Sequence, residues 1–243
     1  MPRTLPKEKE SKVEPKIIYE DSDLLILDKP TGWTTAKAET TKRQSVIEEW
    51  LEKFDYPLAN DSETRSGIVH RLDKGTSGIL LVAKTKKTFA NLQGQFKERQ
   101  VEKTYLALVH GRVHPPAGEI EVPVGRLPWR RDRFGVLPGG RPAVTSYQLI
   151  KYFKRDKEDY SLLEARPKSG RTHQIRVHLK YLGHPIVADE FYAGRKTARK
   201  DRVWCPRLFL HAAKVAFRHP ASGKRLELTS DLPQDLVNVL NLI

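Results

Sequence analysis

The stretch "IVHRLDKGTSGILLVAKT", residues 68–85, sets His70, Arg71, Asp73 and Lys74 between two aliphatic runs and follows them with Thr76-Ser77-Gly78. A plain turn between strands needs no more than Asn-Gly. The ionisable side chains instead offer a carboxylate for nucleophilic or acid–base work, with cations beside it. Further polar clusters lie where apolar runs begin or end: "DKPTGW" (28–33), "SGRTHQIRVH" (169–178) and "RLFLHA" (207–212). Each also has a structural reading. Asp73 can close an Asx-turn, and Thr76 or Ser77 can cap backbone. Arg176 can be a surface charge beside an apolar helix stripe, and Tyr105 a half-buried strand residue with a wet hydroxyl.

Missing motifs exclude several chemistries. There is no Walker loop and no glycine fingerprint after a strand, so nucleotide cofactors lack their usual seat. The lone cysteine, Cys205, cannot form an intrachain disulfide, a Cys-pair zinc site or the Pro-Cys-x-x-Cys pair of a zinc deaminase. The eight histidines are scattered, and His173 and His178 diverge on one helix, so no shared metal is expected. A Gly-x-Ser-x-Gly elbow for Ser-His-Asp hydrolysis is absent as well.

The elements that must position these clusters follow from periodicity. "KIIYEDSDLLILDKP" reads as two short strands around a polar turn, closed by Pro30. Ser45 and Glu48 form a capping box for an amphipathic helix over 45–54. A strand over 78–84 and a helix over 86–98 follow. Residues 101–111 alternate, placing Tyr105 on one side with Val101, Lys103, Ala107 and Val109. "GEIEVPVG", "AVTSYQLIKYF" and "YSLLEARP" continue as strands. Residues 172–183 form a helix that turns Ile175, Leu179 and Leu182 inward and stops at Gly183. "RLFLHAAKVAFRHP" and "KRLELTS" return to strand, and "PQDLVNVLNLI" ends as a helix. Strands outnumber helices in consecutive hairpins, giving one α+β domain with a mainly antiparallel sheet.

The 243 residues carry 44 Lys and Arg against 30 Asp and Glu, a formal charge of +14. On a folded body, such a surplus points to a polyanion, nucleic acid before membrane. The N-terminus mixes charges without an apolar run, so it is no signal peptide, and no window has the length of a membrane helix. A soluble, cytoplasmic protein is expected. Two basic runs offer phosphate contacts: Arg126, Arg130, Arg131 and Arg133 around Trp129, and Arg195, Lys196, Arg199 and Lys200 before Trp204.

Together and in order, the clusters resemble the RluA-type family of RNA pseudouridine synthases, from about Ile17 to Leu236. "HRLDKGTSG" is its most specific signature; "DKPTG", "EKTYLALVHG", "GRTHQIRVHLKYLGHPI" and "RLFLHAAKVAFRHP" are similar to its other blocks. The resemblance implies a pseudouridine synthase-like catalytic domain over 16–243, behind a flexible tail, 1–15. Its mixed, mainly antiparallel sheet would be flanked by helices and hold a central RNA-binding cleft. Asp73 is then the catalytic carboxylate, Tyr105 the active-site tyrosine and Arg176 the arginine that grips Asp73 as a fork. Arg71 resembles the side chain that fills the gap left by a flipped nucleotide. Lys29, Arg171 and His173, with Arg130, Arg131 and Arg133, are the expected RNA contacts. Two departures from the pattern are Gly75, where an acidic residue is frequent, and Ala188 before Asp189, where glycine is common.

The implied reaction breaks the bond from ribose to the base nitrogen, turns the uracil and rejoins it through carbon 5. Atoms are conserved, so neither cofactor nor metal is expected. The partner is a loop in ribosomal or transfer RNA, the protein a monomer. Many members of the family carry an RNA-binding module ahead of the catalytic domain; with only the tail here, target choice is expected to rest with the domain itself.

Overall fold

The computed structural model describes residues 13–37 and 45–243. In chain order the elements are β1 (Lys16–Glu20), β2 (Leu24–Lys29), α1 (Ile47–Leu51), β3 (Ser77–Ala83), α2 (Lys86–Lys97), β4 (Glu102–His110), β5 (Ala117–Glu121), β6 (Val124–Leu127), β7 (Arg130–Val136), β8 (Val144–Arg155), β9 (Glu158–Pro167), α3 (Gln174–Tyr181), α4 (Arg195–Asp201), β10 (Leu210–Arg218), β11 (Arg225–Thr229) and α5 (Gln234–Asn241). Nine strands form one sheet in the order β1-β2-β3-β10-β4-β9-β8-β5, with β11 paired to β10. Only β3 and β10 run parallel; the remaining pairs are antiparallel, as the run of hairpins predicts.

Strands β2 and β3 read as unbroken apolar runs because both their faces are covered. Leu25, Leu27, Leu80 and Val82 join a cluster with Ile47 and Leu51 of α1, Ile175 and Leu179 of α3, and Leu236 and Val239 of α5. Leu24, Ile26, Ile79 and Leu81, one residue out of phase, pack on the other face with Leu92 of α2.

One register row crosses the middle of the sheet: Lys29, Gly78, Ala212, Tyr105, Ala165 and Tyr147 are successive partners on six strands. It brings the end of "DKP", the end of "DKGTSG" and Tyr105 to one place, although they lie far apart in sequence. The row tolerates no side chain at Gly78. Its φ is +111°, and a Cβ there would sit 2.3 Å from the carbonyl oxygen of Ala212. That is why the polar motif ends in glycine.

Several expectations shift. Val46, and not Ser45, takes the N-cap position of α1, and the Glu48 carboxylate accepts from the Lys37 amide at 2.7 Å. "GEIEVPVG" breaks at Pro123 into β5 and β6. The basic run around Trp129 is the hairpin β6–β7, and the one before Trp204 is α4. Of the expected tail, residues 1–12 lie outside the described residues. Val13 and Glu14 lie against the body, where the Val13 carbonyl accepts from the Trp33 indole at 2.9 Å and the Glu14 carboxylate from the Trp50 indole at 3.1 Å.

Gly78→Ala is expected to destabilise the fold by about 2–4 kcal/mol, from backbone strain plus the collision with Ala212. Gly32→Ala, at φ +85° but with open space around it, is expected to cost only about 1–2 kcal/mol. Urea unfolding of both variants checks the difference; equal losses would contradict it.

Candidate active site

The segment 70–76 that carries the polar motif is pinned on both sides. The Gly32 amide donates to the Lys74 carbonyl at 2.8 Å, and the Thr31 hydroxyl to the Gly75 carbonyl at 3.2 Å. Thr35 Oγ1 donates to the Leu72 carbonyl and accepts from the Leu72 amide, at 2.8 and 3.1 Å. "DKPTGWTT" is thus a bracket for the Asp73 loop. His70 Nε2 accepts from the Leu81 amide at 3.0 Å, a bond that only neutral imidazole can make. Burial, with Lys103 nearby, lowers its pKa to about 3. Of the four ionisable residues, then, His70 holds the loop to β3, and Asp73 and Arg71 face a cleft.

That cleft, about 890 Å³, is lined by Asp73, Tyr105 and Arg176, and along its walls by Arg71, Arg99, Lys103, Lys168, Arg171 and His173. Arg176 leaves α3 with only 8% of its side chain exposed. Its Nη1 donates to Asp73 Oδ2 at 3.3 Å. The fork itself points elsewhere: Nε and Nη2 meet Asp189 Oδ2 and Oδ1 at 2.7 and 2.8 Å. The expectation that Arg176 grips Asp73 bidentately is therefore corrected. Arg176 is held by Asp189 and offers Asp73 one remaining donor. Burial opposes the charge on Arg176, and the Asp189 carboxylate, with Asp73 beyond it, outweighs that and raises the guanidinium pKa.

Asp189 is positioned by a left-handed turn. Ala188 has φ 60°, a conformation that costs a residue with a Cβ about 1–2 kcal/mol and accounts for glycine being common there. The Ala188 amide donates to Asp201 Oδ2 at 2.8 Å, and the same oxygen lies 3.0 Å from His110 Nε2. Asp189 Oδ1 also accepts from the amides of Phe191 and Tyr192. Sequence reading missed Asp189, Asp201 and His110. The one signal was the alanine preceding Asp189.

Tyr105 is buried on β4, where burial and the Asp73 charge raise its pKa. Its hydroxyl therefore stays protonated at neutral pH and is a donor. His173 sits at φ 57° at the N-cap of α3. Its Nδ1 lies 2.9 Å from the Tyr192 hydroxyl and its Nε2 3.8 Å from Asp73; burial, ahead of the opposing pull of Asp73, lowers its pKa. Lys103, whose pKa burial lowers to about 8, lines the same cleft.

The expected RNA contacts separate into groups. Arg71 is exposed on the rim, and Arg171 is half-buried, its Nε donating to the Pro142 carbonyl. Lys29 is corrected: it is 0% exposed, and its ammonium donates to the carbonyls of Pro30 and Trp33 at 3.0 Å each. Burial lowers its pKa to about 7 against the opposing pull of Asp73. Arg133 is half-buried and donates to the Phe191 carbonyl at 2.8 Å, so it anchors the hairpin. Arg130 is exposed on a second groove, with Arg195 and Arg199. The side chain of Arg131 lies outside the described residues. Away from the cleft, Asp21, Asp23 and His219 converge closely enough to hold an ion, but Asp21 already accepts from Tyr19, Asp23, Leu24 and His219.

Residues 23–181, a span that includes Asp73, Tyr105 and Arg176, match the RNA pseudouridylate synthase family. The chain belongs to that family. It is 44% identical over 213 residues to an uncharacterised RNA pseudouridine synthase of Chloroflexus aurantiacus, covering 88% of this chain and 64% of that one. To ribosomal large subunit pseudouridine synthase D of Pseudomonas aeruginosa it is 36% identical, over 95% of this chain and 72% of the relative. Among solved structures, human RNA pseudouridylate synthase domain containing 1 superposes with a TM-score of 0.70 at 26% identity, covering 90% of this chain and 84% of that one. These neighbours bear out the α+β fold with its mixed sheet. Among the described residues no helix is long and apolar enough to cross a membrane.

Lys29 supplies a test of the buried turn that brackets the Asp73 loop. Its pKa falls from 10.5 to about 7 on folding, so between those values the unfolded chain binds more protons and folding stability rises with pH. Lys29→Met lacks that contribution. The stability of the wild type relative to the variant, from urea unfolding, is expected to grow from about pH 7 towards pH 10; a pH-independent difference would contradict the burial.

Proposed function

We propose that the chain isomerises uridine to pseudouridine in structured RNA, with Asp73 as the reacting carboxylate. The observation that carries this reading is the cleft floor. A half-buried aspartate is held there by one donor of a buried arginine, beside a buried tyrosine, inside walls rich in lysine and arginine. Such walls suit a phosphate backbone. A lone carboxylate at their base suits attack on sugar or base, or removal of a sugar proton, and these routes share the same placement.

A base within a stack cannot be turned, so the nucleotide must leave the stack, at a cost of a few kcal/mol. Arg71, exposed on the rim, fits the space it vacates. Tyr105 offers a flat face to the uracil and a hydroxyl held in its donor form. Arg176 keeps Asp73 oriented, with its own geometry fixed from behind by Asp189. Large-subunit ribosomal RNA is the first substrate to test, given the name of the Pseudomonas relative.

Joining the uracil through carbon 5 expels the hydrogen there. RNA tritiated at that position should release label to water in proportion to pseudouridine formed, without added metal or nucleotide. Asp73→Asn should abolish release and leave RNA affinity unchanged. Turnover of the variant within about tenfold of the wild type would contradict the assignment of Asp73, and pseudouridine formed with the label retained would contradict the reaction.

A further inference from the structure

The β6–β7 hairpin stands apart from the main sheet and carries the most exposed aromatic side chain among the described residues. Pro128 and Trp129 form its two-residue turn, and Trp129 is 72% exposed. A bare indole in water is costly, and proteins place tryptophan where it has something to cover. We propose that Trp129 is a stacking platform for an unpaired base of the bound RNA, flanking the nucleotide that enters the cleft.

The root of the hairpin is firmly built. Phe134 and Val136 pack on Val124, Val177 and Tyr192, and a Cβ on Gly135 would lie 2.8 Å from Leu127, so the two strands are in close contact. Arg133 ties β7 to the Phe191 carbonyl and lies over the Phe191 ring at 5.2 Å. At the tip, proline fixes its own φ, and neither turn residue is in the left-handed region. The indole is thus presented by a short, constrained turn on an anchored stalk, which limits the entropy lost on binding.

The stalk begins at the cleft. The Phe134 ring is 5.7 Å from that of His173, and His173 is 3.8 Å from Asp73. Trp129 lies in the turn five residues before Phe134, so their Cα atoms are at most about 17 Å apart, the length of about five stacked nucleotides. Between the hairpin and α4 runs a groove of about 450 Å³ lined by Arg130, Arg133, Arg195, Arg199 and Arg202, offset by Asp132 and Glu190. Its positive balance suits a phosphate backbone passing along the side of the hairpin, beside Arg130, the neighbour of Trp129 in the chain. A base stacked on tryptophan is bound through its π-face, without sequence preference, so the platform would grip an unpaired flank and leave the choice of uridine to the cleft.

The inference rests on the RNA-substrate reading above. Binding is measured by anisotropy with a labelled single-stranded RNA oligonucleotide and with the same sequence in a duplex, for the wild type and for Trp129→Ala, Trp129→Phe and Trp129→Lys. Trp129→Ala is expected to lose about tenfold or more in affinity for the single strand and little for the duplex, and Trp129→Phe to retain most of it. Trp129→Lys adds a cation and removes the ring, so stacking predicts a loss like that of alanine. Wild-type or tighter binding by Trp129→Lys, or binding by Trp129→Ala within about twofold of the wild type, would overturn the platform. Those outcomes leave tritium release by the wild type untouched, whereas a wild type that neither binds RNA nor releases label would overturn the functional reading along with it.

Discussion

The site depends on how one buried guanidinium divides its donors. Arg176 has three hydrogen-bonding nitrogens at the floor of the cleft; two are taken by Asp189, which is 1% exposed, and the third is left for Asp73. A buried pair of this kind adds little net stability, but breaking it by removing one partner costs about 3–5 kcal/mol, because the other charge is left uncompensated. Stability alone therefore gives no reason for the pair. Orientation does: a lysine could carry the charge, but only the planar fork fixes the direction of the remaining N–H. The arrangement extends further back, since the turn presenting Asp189 is held at its strained Ala188 by Asp201, itself paired with His110 on the strand that carries Tyr105.

The second constraint is the register row through Lys29, Gly78, Ala212 and Tyr105. A one-residue slip would send Tyr105 to the opposite face of the sheet. The close approach of β3 and β10 at Gly78 sets how near the Asp73 loop comes to β4. Lys29 sits fully buried at the end of the same row, its ammonium on two backbone carbonyls, and closes the turn that brackets the loop.

Local pattern was legible in the sequence, and pairing at a distance was not. Alternation located β4 and β8, and the 3.6-residue period located α2, because those segments bury one face more than the other; β9 and α3 were located by their apolar residues, although Tyr160–Leu163 and Gln174–Leu179 are buried throughout. The polar clusters picked out Asp73, Tyr105 and Arg176 through family resemblance, and the fold brings all three to one cleft. The partner of the arginine fork could not be read: Asp73 and Asp189 are chemically equivalent, and only the turn at Ala188 decides between them. Lys29 was misread as an RNA contact for a similar reason, since a lysine after a strand is usually solvated. The hairpin β6–β7 and α4 were hidden by charge. Their arginines and lysines carry no apolar period; the hairpin is held by Phe191 and Tyr192, and α4 by Asp201 on His110 and the Ala188 amide.

The central claim is that Asp189 positions Arg176, and through it Asp73, without touching RNA. Asp189→Asn keeps the shape and removes the charge and the fork. With near-UV circular dichroism confirming the folded state, the single-turnover rate of tritium release is predicted to fall about a hundredfold, the order of loss expected for a misplaced catalytic group, while RNA affinity stays at the wild-type value. An unchanged rate in the folded variant, or a loss of affinity that accounts for the fall, would contradict the account.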